Sequence, residues 1–375
     1  MLRTFFFAFI FLPVLPLTAA ATGDTTRAVQ TEATYTGDHY GNLRGGIRTG
    51  YAYLGLAQFH FGLNTGSAGL WQGGELYVMG AATHGRSPSG ELTGDIQVAS
   101  NIEAGDHIYL QEFWYQHSFG DVTIAAGLQD LNAGFVTCSR AGLLLNSSFG
   151  IMPTITGNLP VPVFPLTALG ITGHFPLSSR LTFSAAVFDG SAEDFATNPY
   201  NISWQLSRHD GLLSFGEFTY SSGKTQKYTL RTGIYYHSGY TETTPEMQPY
   251  LHPAHAGLYL IGERELIKSP TGFCLNAFLQ AGTGSRSDHP VKHYLGTGIH
   301  TSGLFKKRKN DEAGFAVARA ATPSGCETTI ELTCRAEITE NFSIQPDLQY
   351  IIHPGIAPGT PNALVFILRA GINID

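Results

Sequence analysis

The chain has 375 residues, a formal net charge of −7 at pH 7, and charged side chains at only 14% of its positions. This acidic balance disfavours a nucleic-acid partner, which would need a basic protein surface. The 44 glycines, 24 phenylalanines and 17 tyrosines fit a membrane barrel with aromatic girdles better than they fit a soluble enzyme.

The N-terminus predicts export from the cytoplasm. Arg3 precedes an apolar run over residues 5–12, and residues 17–21 supply the small side chains of a cleavage site. The apolar run is too short to cross a membrane as a helix. We therefore predict a signal peptide over residues 1–21 and one barrel domain over residues 22–375.

Runs of alternating apolar and polar residues, bounded by turn residues, predict sixteen β-strands along the chain. The predicted strands are 28–37, 48–61, 69–82, 107–119, 122–130, 164–173, 181–189, 212–221, 228–237, 256–266, 271–282, 293–303, 311–321, 326–338, 342–353 and 362–374. Single-chain bacterial barrels have an even number of strands, with short periplasmic turns and longer external loops. The predicted connections alternate between short and long almost throughout, which favours a barrel over a β-sandwich.

The clearest alternation lies near the C-terminus, in the two strands that span residues 326–353. Ile330 and Leu332 share one face of the first strand, whereas Glu331 and Thr333 share the other. Strands of soluble proteins usually have about five or six residues, and these are about twice as long. Long strands with a charged polar face are typical of a barrel around a water-filled lumen. The predicted fold class is therefore all-β: a transmembrane antiparallel β-barrel.

The stretch of residues 131–163 is too long for an ordinary connection. Two placements are consistent with the sequence: the stretch could fold into the lumen and narrow it, or it could form an external cap.

Cysteine and histidine spacing predicts no metal site, and we expect neither a cofactor nor a catalytic residue. Cys326 and Cys334 lie about 26 Å apart along one predicted strand, too far to form a disulfide. Cys138 lies in the long connection and could meet another cysteine, so the sequence leaves a disulfide open.

Several stretches, in this order and spacing, resemble the carbohydrate-selective porins of the OprB type over nearly the whole mature chain. They are Ser100–Ala104, Gln111–Gly120, Asn146–Gly150, Gly211–Tyr220, Glu327–Ile338 and Phe342–Gly355. The resemblance implies a sixteen-stranded channel in the outer membrane of a Gram-negative bacterium, through which sugars pass by diffusion.

Such a channel selects its solute by pore radius, by charge and by the hydrogen-bonding groups of its wall. Sugars offer many hydroxyls and an apolar ring face, so carboxylates, guanidiniums, amides and aromatic rings suit the wall. Residues on the polar face of the predicted strands are our candidates for substrate binding: Arg335, Asp347, Glu331, Glu337, Gln345, Gln349, Arg231, Glu217, Glu112 and Arg369. We expect Arg335 and Asp347, near the middle of neighbouring strands, to contact the sugar.

The expected partners are mono- or oligosaccharide solutes and outer-membrane lipid, and homo-oligomers are possible. A general-diffusion porin without sugar preference is the nearest alternative function. An outer-membrane hydrolase with a Ser–His site on the barrel wall, and an adhesin or secreted β-sandwich, are alternatives from other classes.

Overall fold

The structure is a computed structural model that describes residues 27–222, 227–242, 250–270, 272–286, 289–304 and 308–374. The predicted signal peptide, residues 1–21, lies outside these ranges. Among the described residues, no helix combines the length and the apolar character needed to span a membrane.

Sixteen antiparallel strands form one closed barrel, as the alternation predicted. They are β1 Val29–Arg44, β2 Gly50–Asn64, β3 Gly74–Gly85, β4 His107–Phe119, β5 Val122–Gln129, β6 Ala168–Pro176, β7 Leu181–Asp189, β8 Leu212–Ser221, β9 Tyr228–His237, β10 His255–Lys268, β11 Cys274–Gly284, β12 His293–Ser302, β13 Glu312–Thr322, β14 Gly325–Thr339, β15 Phe342–Ile352 and β16 Ala363–Ile374. Each strand pairs with its neighbours in the chain, and β1 pairs with β16 to close the ring. Closure leaves the barrel without an unpaired edge.

The two faces of the wall follow the predicted alternation. On β14 the Leu332 side chain points outward and is 56% exposed, whereas its neighbours Glu331 and Thr333 point inward and are at most 1% exposed. Leu348 on β15 and Phe366 on β16 lie directly across from the same outward row and are also exposed. In this part of the barrel the outer face is thus apolar, and the inner face of β14 is polar.

The first strand extends beyond its predicted end at residue 37 and reaches Arg44. The inward positions there are Asp38, Tyr40 and Asn42, all of them buried, and the outward positions are His39, Gly41 and Leu43. This stretch therefore lacks the apolar–polar contrast from which a strand is recognised.

The other regular elements of the described residues are short and lie in the connections. They are α1 Leu131–Gly134, α2 Pro153–Thr156, a π-helical turn Ser89–Thr93, the 3₁₀ turns Ser139–Ala141, Ser147–Phe149 and Pro354–Ile356, and a ribbon that pairs Tyr240–Glu242 with Tyr250–His252.

Two long connections fold into the lumen and carry its apolar core. We call residues 86–106, between β3 and β4, the first inner loop, and residues 130–167, between β5 and β6, the second inner loop. Apolar side chains of the second inner loop pack on aromatic residues of the inner wall. The set is Leu131, Phe135, Phe149, Met152 and Ile155 from the loop, with Phe188, Phe215, Tyr235, Phe278 and Tyr294 from the wall.

Candidate functional site

The second inner loop crosses the lumen from β5 and reaches as far as β15. Its Val136 N donates to Glu217 Oε2 on β8 (3.1 Å), and its Asn146 Nδ2 donates to Gln349 Oε1 on β15 (3.2 Å). Of the two placements that the sequence left open, the structure shows the inward one.

Wall carboxylates hold the second inner loop by accepting hydrogen bonds from its backbone. Arg140 N donates to Glu263 Oε1 (2.7 Å), and Leu145 N and Asn146 N donate to the two carboxyl oxygens of Glu331 (2.6 and 3.1 Å). Each carboxylate therefore fixes one point of the irregular chain.

Neutral side chains of the wall bind the carbonyls of the same loop. Gln280 Nε2 donates to Phe149 O (2.8 Å), Tyr294 OH to Ser148 O (2.8 Å), and Gln345 Nε2 to Leu143 O (2.7 Å). A glycine on β11 allows the close approach, since a Cβ at Gly282 would lie only 2.6 Å from Thr154 Oγ1. The wall thus supplies both acceptors and donors to a loop that has little regular structure of its own.

Glu327 on β14 plays the corresponding part for the first inner loop. Its carboxylate accepts hydrogen bonds from Ile96 N and Gln97 N (3.0 Å each at the shortest) and from Gly355 N (2.7 Å). Gly355 belongs to the connection between β15 and β16, so one buried carboxylate joins two connections to the wall.

The two inner loops also bind each other. Asn101 N donates to Leu145 O (2.8 Å), and Ser147 N donates to Val98 O (2.9 Å). These backbone hydrogen bonds make the two loops one continuous body inside the barrel.

The structure divides the ten predicted channel residues into a buried group and an exposed group. The buried group comprises Glu112, Glu217, Glu331, Gln345, Asp347 and Gln349; the side chains with exposed surface are Arg231, Arg335, Glu337 and Arg369. In this conformation, buried side chains offer almost no surface to a passing solute. Sugar contact by any of the ten stays a prediction.

Arg335 and Asp347, the two residues that we expected to contact the sugar, have different partners in the structure. The Arg335 guanidinium, 35% exposed, bonds to the carboxylate of Glu312 on β13, and Glu312 Oε1 also lies 3.0 Å from His300 Nε2 on β12. Asp347 is buried and accepts from Gln349 Nε2 (3.0 Å). The sequence analysis did not select Glu312, because this residue is the first of its strand and follows a turn, where alternation gives no signal.

Arg369 lies in the seam where the barrel closes. Its guanidinium binds both oxygens of Asp38 on β1 (2.7 and 2.8 Å) and also donates to Asn101 Oδ1 of the first inner loop (2.8 Å). Arg231 is placed similarly, 3.6 Å from Glu217 on the adjacent β8. Both guanidiniums thus lie close to a carboxylate of an adjacent strand, and Arg369 also binds the first inner loop.

The lumen also contains an aromatic pair. The rings of Tyr77 on β3 and Trp114 on β4 stack with centroids 4.9 Å apart, at an angle of 24°. Trp114 Nε1 donates to Glu112 Oε2 (2.9 Å), and the Tyr77 hydroxyl bonds to His60 Nδ1 (2.6 Å). The shared face of Glu112 and Trp114 is visible in the sequence, but the position of Tyr77 requires the register between β3 and β4.

Three carboxyls of the inner loops are shielded from water. Burial, with the nearby carboxylates of Glu327 and Glu103, raises the pKa of Asp95 to about 8. Burial likewise raises the pKa of Glu103 to about 7 and the pKa of Asp130 to about 6. Loss of hydration disfavours the charged form of a carboxyl, so the inner loops carry groups that titrate near neutral pH.

All four cysteines are free: Cys138, Cys274, Cys326 and Cys334. The disulfide that the sequence left open does not form here.

A family model described as carbohydrate-selective porin, OprB family, matches residues 48–374. The chain belongs to this family. It is therefore a porin of the outer membrane of Gram-negative bacteria. Carbohydrates diffuse through its β-barrel channel. A comparison with curated protein sequences finds no match for this porin.

Solved structures show the same fold. The high-pH structure of Pseudomonas putida OprB matches this porin with a TM-score of 0.82 at 17% identity, over 92% of this chain and 94% of that chain. The low-pH structure of the same protein matches with a TM-score of 0.59 at 15% identity, over 92% of each chain. A mutant of the Rh. blastica porin matches with a TM-score of 0.54 at 9% identity, over 92% of this chain and 99% of that chain.

Proposed function

We propose that carbohydrates crossing this porin contact the lumen-facing groups that the inner loops leave exposed. The groups are the stacked rings of Tyr77 and Trp114 and the guanidinium of Arg335. Sugar rings stack on aromatic faces, and a guanidinium donates to hydroxyl oxygens. Together they offer the two kinds of contact that replace the hydration of a sugar.

The observation that carries this proposal is the Tyr77–Trp114 stack. Both residues occupy inward positions and are only partly buried, so the exposed part of each ring faces the lumen and not the lipid. The Trp114 indole N–H and the Tyr77 hydroxyl already have partners on the wall. The rings are thus held in place with polar groups close by, an arrangement that suits a sugar.

For the buried carboxylates we propose a positioning role. Glu217, Glu263 and Glu331 hold the second inner loop, so they act on the solute through the path that the loop leaves open. For Glu217 and Glu331 this role differs from the direct contact expected from the sequence, and it accounts for the burial of all three side chains.

Planar-bilayer conductance with a titration of maltotriose tests the aromatic contact. Trp114→Ala should raise the sugar concentration needed for half-block by about tenfold, the equivalent of 1.4 kcal/mol. Trp71→Ala, at an exposed position outside the lumen, is the control and should leave the block unchanged. Equal half-block concentrations in wild type and Trp114→Ala would show that the stack does not bind sugar.

The alternative function is general diffusion, in which the porin has no preference for sugars over other solutes of similar size. Liposome-swelling rates for sugars and for amino acids of similar size separate the two: faster entry of sugars supports a sugar preference, whereas equal rates for both solutes favour general diffusion.

A further inference from the structure

The barrel wall is shortest at β5, β6 and β7, which have 8, 9 and 9 residues, against 13 in β4 beside them. A tilted strand needs about 9–11 residues to cross the apolar layer of a membrane. The long connection between β7 and β8, residues 190–211, lies at the end of these short strands. We call residues 198–206 of this connection the flap.

The flap lies on the outside of the wall. Phe113 on β4 and Leu128 on β5 pair directly, so they share one face, and Phe113 is an outward residue with 40% exposure. Leu128 is nevertheless only 1% exposed. Trp204 of the flap stacks on Phe113 with ring centroids 6.0 Å apart, and it lines one small cavity together with Leu128. The flap therefore covers lipid-facing positions of the barrel.

Hydrogen bonds seat the flap where β5 has ended. Leu110 N of β4 donates to Tyr200 O (3.0 Å), and Asn201 Nδ2 donates to Leu110 O (3.1 Å) and to Thr167 Oγ1 (2.8 Å). These bonds satisfy the backbone of β4 beyond its last partner on β5. Earlier in the same connection, Phe195 stacks on the lumen-facing His107, so the chain passes over the rim from inside to outside.

The flap presents an alternating row of exposed apolar side chains: Tyr200, Ile202, Trp204 and Leu206, exposed by 59%, 63%, 36% and 74%. Several of its polar groups are satisfied internally. Asn198 Oδ1 accepts from Ile202 N and Ser203 N (3.1 and 3.2 Å), and Trp204 Nε1 donates to Asn201 O (2.9 Å). A segment with an apolar outer face and satisfied polar groups is suited to an apolar environment.

We propose that the flap is a lipid-binding surface that continues the apolar belt of the barrel, and that its partner is the acyl-chain boundary of the outer leaflet. The Trp204–Phe113 stack makes the flap continuous with the lipid-facing wall. Irregular backbone is excluded from the hydrocarbon centre, and Trp and Tyr concentrate at the membrane interface. The boundary layer satisfies both conditions. This surface is additional to the transport of sugars through the lumen.

The chain has three tryptophans, Trp71, Trp114 and Trp204, which allows a direct test. The double variant Trp71→Phe/Trp114→Phe leaves Trp204 as the only indole, and the matched control Trp71→Phe/Trp204→Phe leaves only Trp114 in the lumen. Each protein is reconstituted in phosphatidylcholine vesicles with or without brominated acyl chains. Heat-modifiable migration confirms that both variants are folded.

Brominated chains should reduce Trp204 emission by at least about twofold, and bromines high on the chain should quench more than bromines at the chain end. Trp114 emission should respond to aqueous iodide but hardly to brominated lipid. Quenching of Trp204 by iodide alone would place the flap in water and overturn the proposal. Quenching by neither agent would show that protein covers the flap, and would also overturn the proposal.

Discussion

At the scale of single residues, the inner wall uses acidic side chains as backbone acceptors. Glu331 has no exposed surface, and its two oxygens receive Leu145 N and Asn146 N. Irregular backbone cannot satisfy its own N–H groups, and a buried N–H without a partner costs about 1–3 kcal/mol. The carboxylates thus replace the hydrogen bonds that a helix or a sheet would have supplied.

Glu331→Gln should loosen the second inner loop without unfolding the barrel. The amide presents only one oxygen, so one of the two N–H groups loses its acceptor, at a cost of about 1–3 kcal/mol. Hydrogen exchange of peptides that cover Leu145 and Asn146 should become about tenfold faster or more, because 1.4 kcal/mol corresponds to a factor of ten. Glu337→Gln, at an exposed position of the same strand, is the control. Identical exchange in both variants would contradict the anchoring role of Glu331.

Asp95 should make stability depend on pH. Its pKa is raised to about 8 in the folded protein, whereas the pKa of an unfolded Asp is about 3.9. The folded state therefore holds a proton that the unfolded state has lost, so stability falls as pH rises from about 4 to about 8. Asp95→Asn removes this contribution and should melt at a higher temperature than wild type at about pH 8, but at a similar temperature near pH 4.

The control for Asp95 is Glu340→Gln, in the exposed turn between β14 and β15. Thermal unfolding in detergent should show the same dependence on pH for this variant as for wild type. If Asp95→Asn also keeps the wild-type dependence, then the titration of Glu103 and Glu327, which face Asp95, accounts for the pH effect instead.

At the scale of elements, each strand separates a lipid-facing row from a lumen-facing row. Leu332→Arg places a cation on the outer face of β14, at a cost of about 2–4 kcal/mol at mid-membrane. Ser343→Arg places the same cation on the inner face of β15, where Ser343 pairs with Glu337 and is only partly buried. The fraction of heat-modifiable protein should fall for Leu332→Arg alone. Equal assembly of both variants would show that the faces are assigned wrongly.

The inner loops show why an inward position on a strand does not by itself identify a sugar-binding residue. Inward positions on β14 and β15 are polar, as expected for a wet lumen, yet Gln345 and Gln349 bind loop carbonyls instead of facing open water. Arg335, toward the end of β14, keeps exposed surface. The difference depends on where the loops lie, and strand alternation does not encode this position.

At the scale of the whole molecule, closure of the barrel joins the first strand to the last through a buried ion pair. Asp38 has no exposed surface, and both of its oxygens bind Arg369. Removing one member of a buried pair leaves an uncompensated charge, at a cost of up to about 3–5 kcal/mol, whereas replacing both members often costs little. Substitutions of Asp38 and Arg369 therefore test whether this ion pair stabilises the contact between β1 and β16.

Arg369→Met should lower the melting temperature of the barrel, and Asp38→Asn combined with Arg369→Met should recover most of the loss, because the double variant buries no charge. The comparison is a double-mutant cycle measured by the temperature at which heat-modifiable migration is lost. An equal loss in the single and the double variant would show that the charge pair does not stabilise the seam.

The sequence by itself determined the number of strands, their two faces and the family. These follow from period-two alternation and from short motifs, which are local properties of the chain. It also identified residues 131–163 as exceptional in length. The alternation of apolar and polar residues did not predict the last part of β1, because buried positions there, such as Asp38 and Asn42, are polar.

Only the tertiary structure decided the path of the inner loops, and with it the roles of the wall residues. Glu331 on the wall and Asn146 of the second inner loop are 185 residues apart in the chain. They meet only because the ring closes around the loops. The same holds for Arg369 and Asp38, 331 residues apart. Irregular loops have no periodic signal, so their position follows from the specific hydrogen bonds that a completed wall offers them.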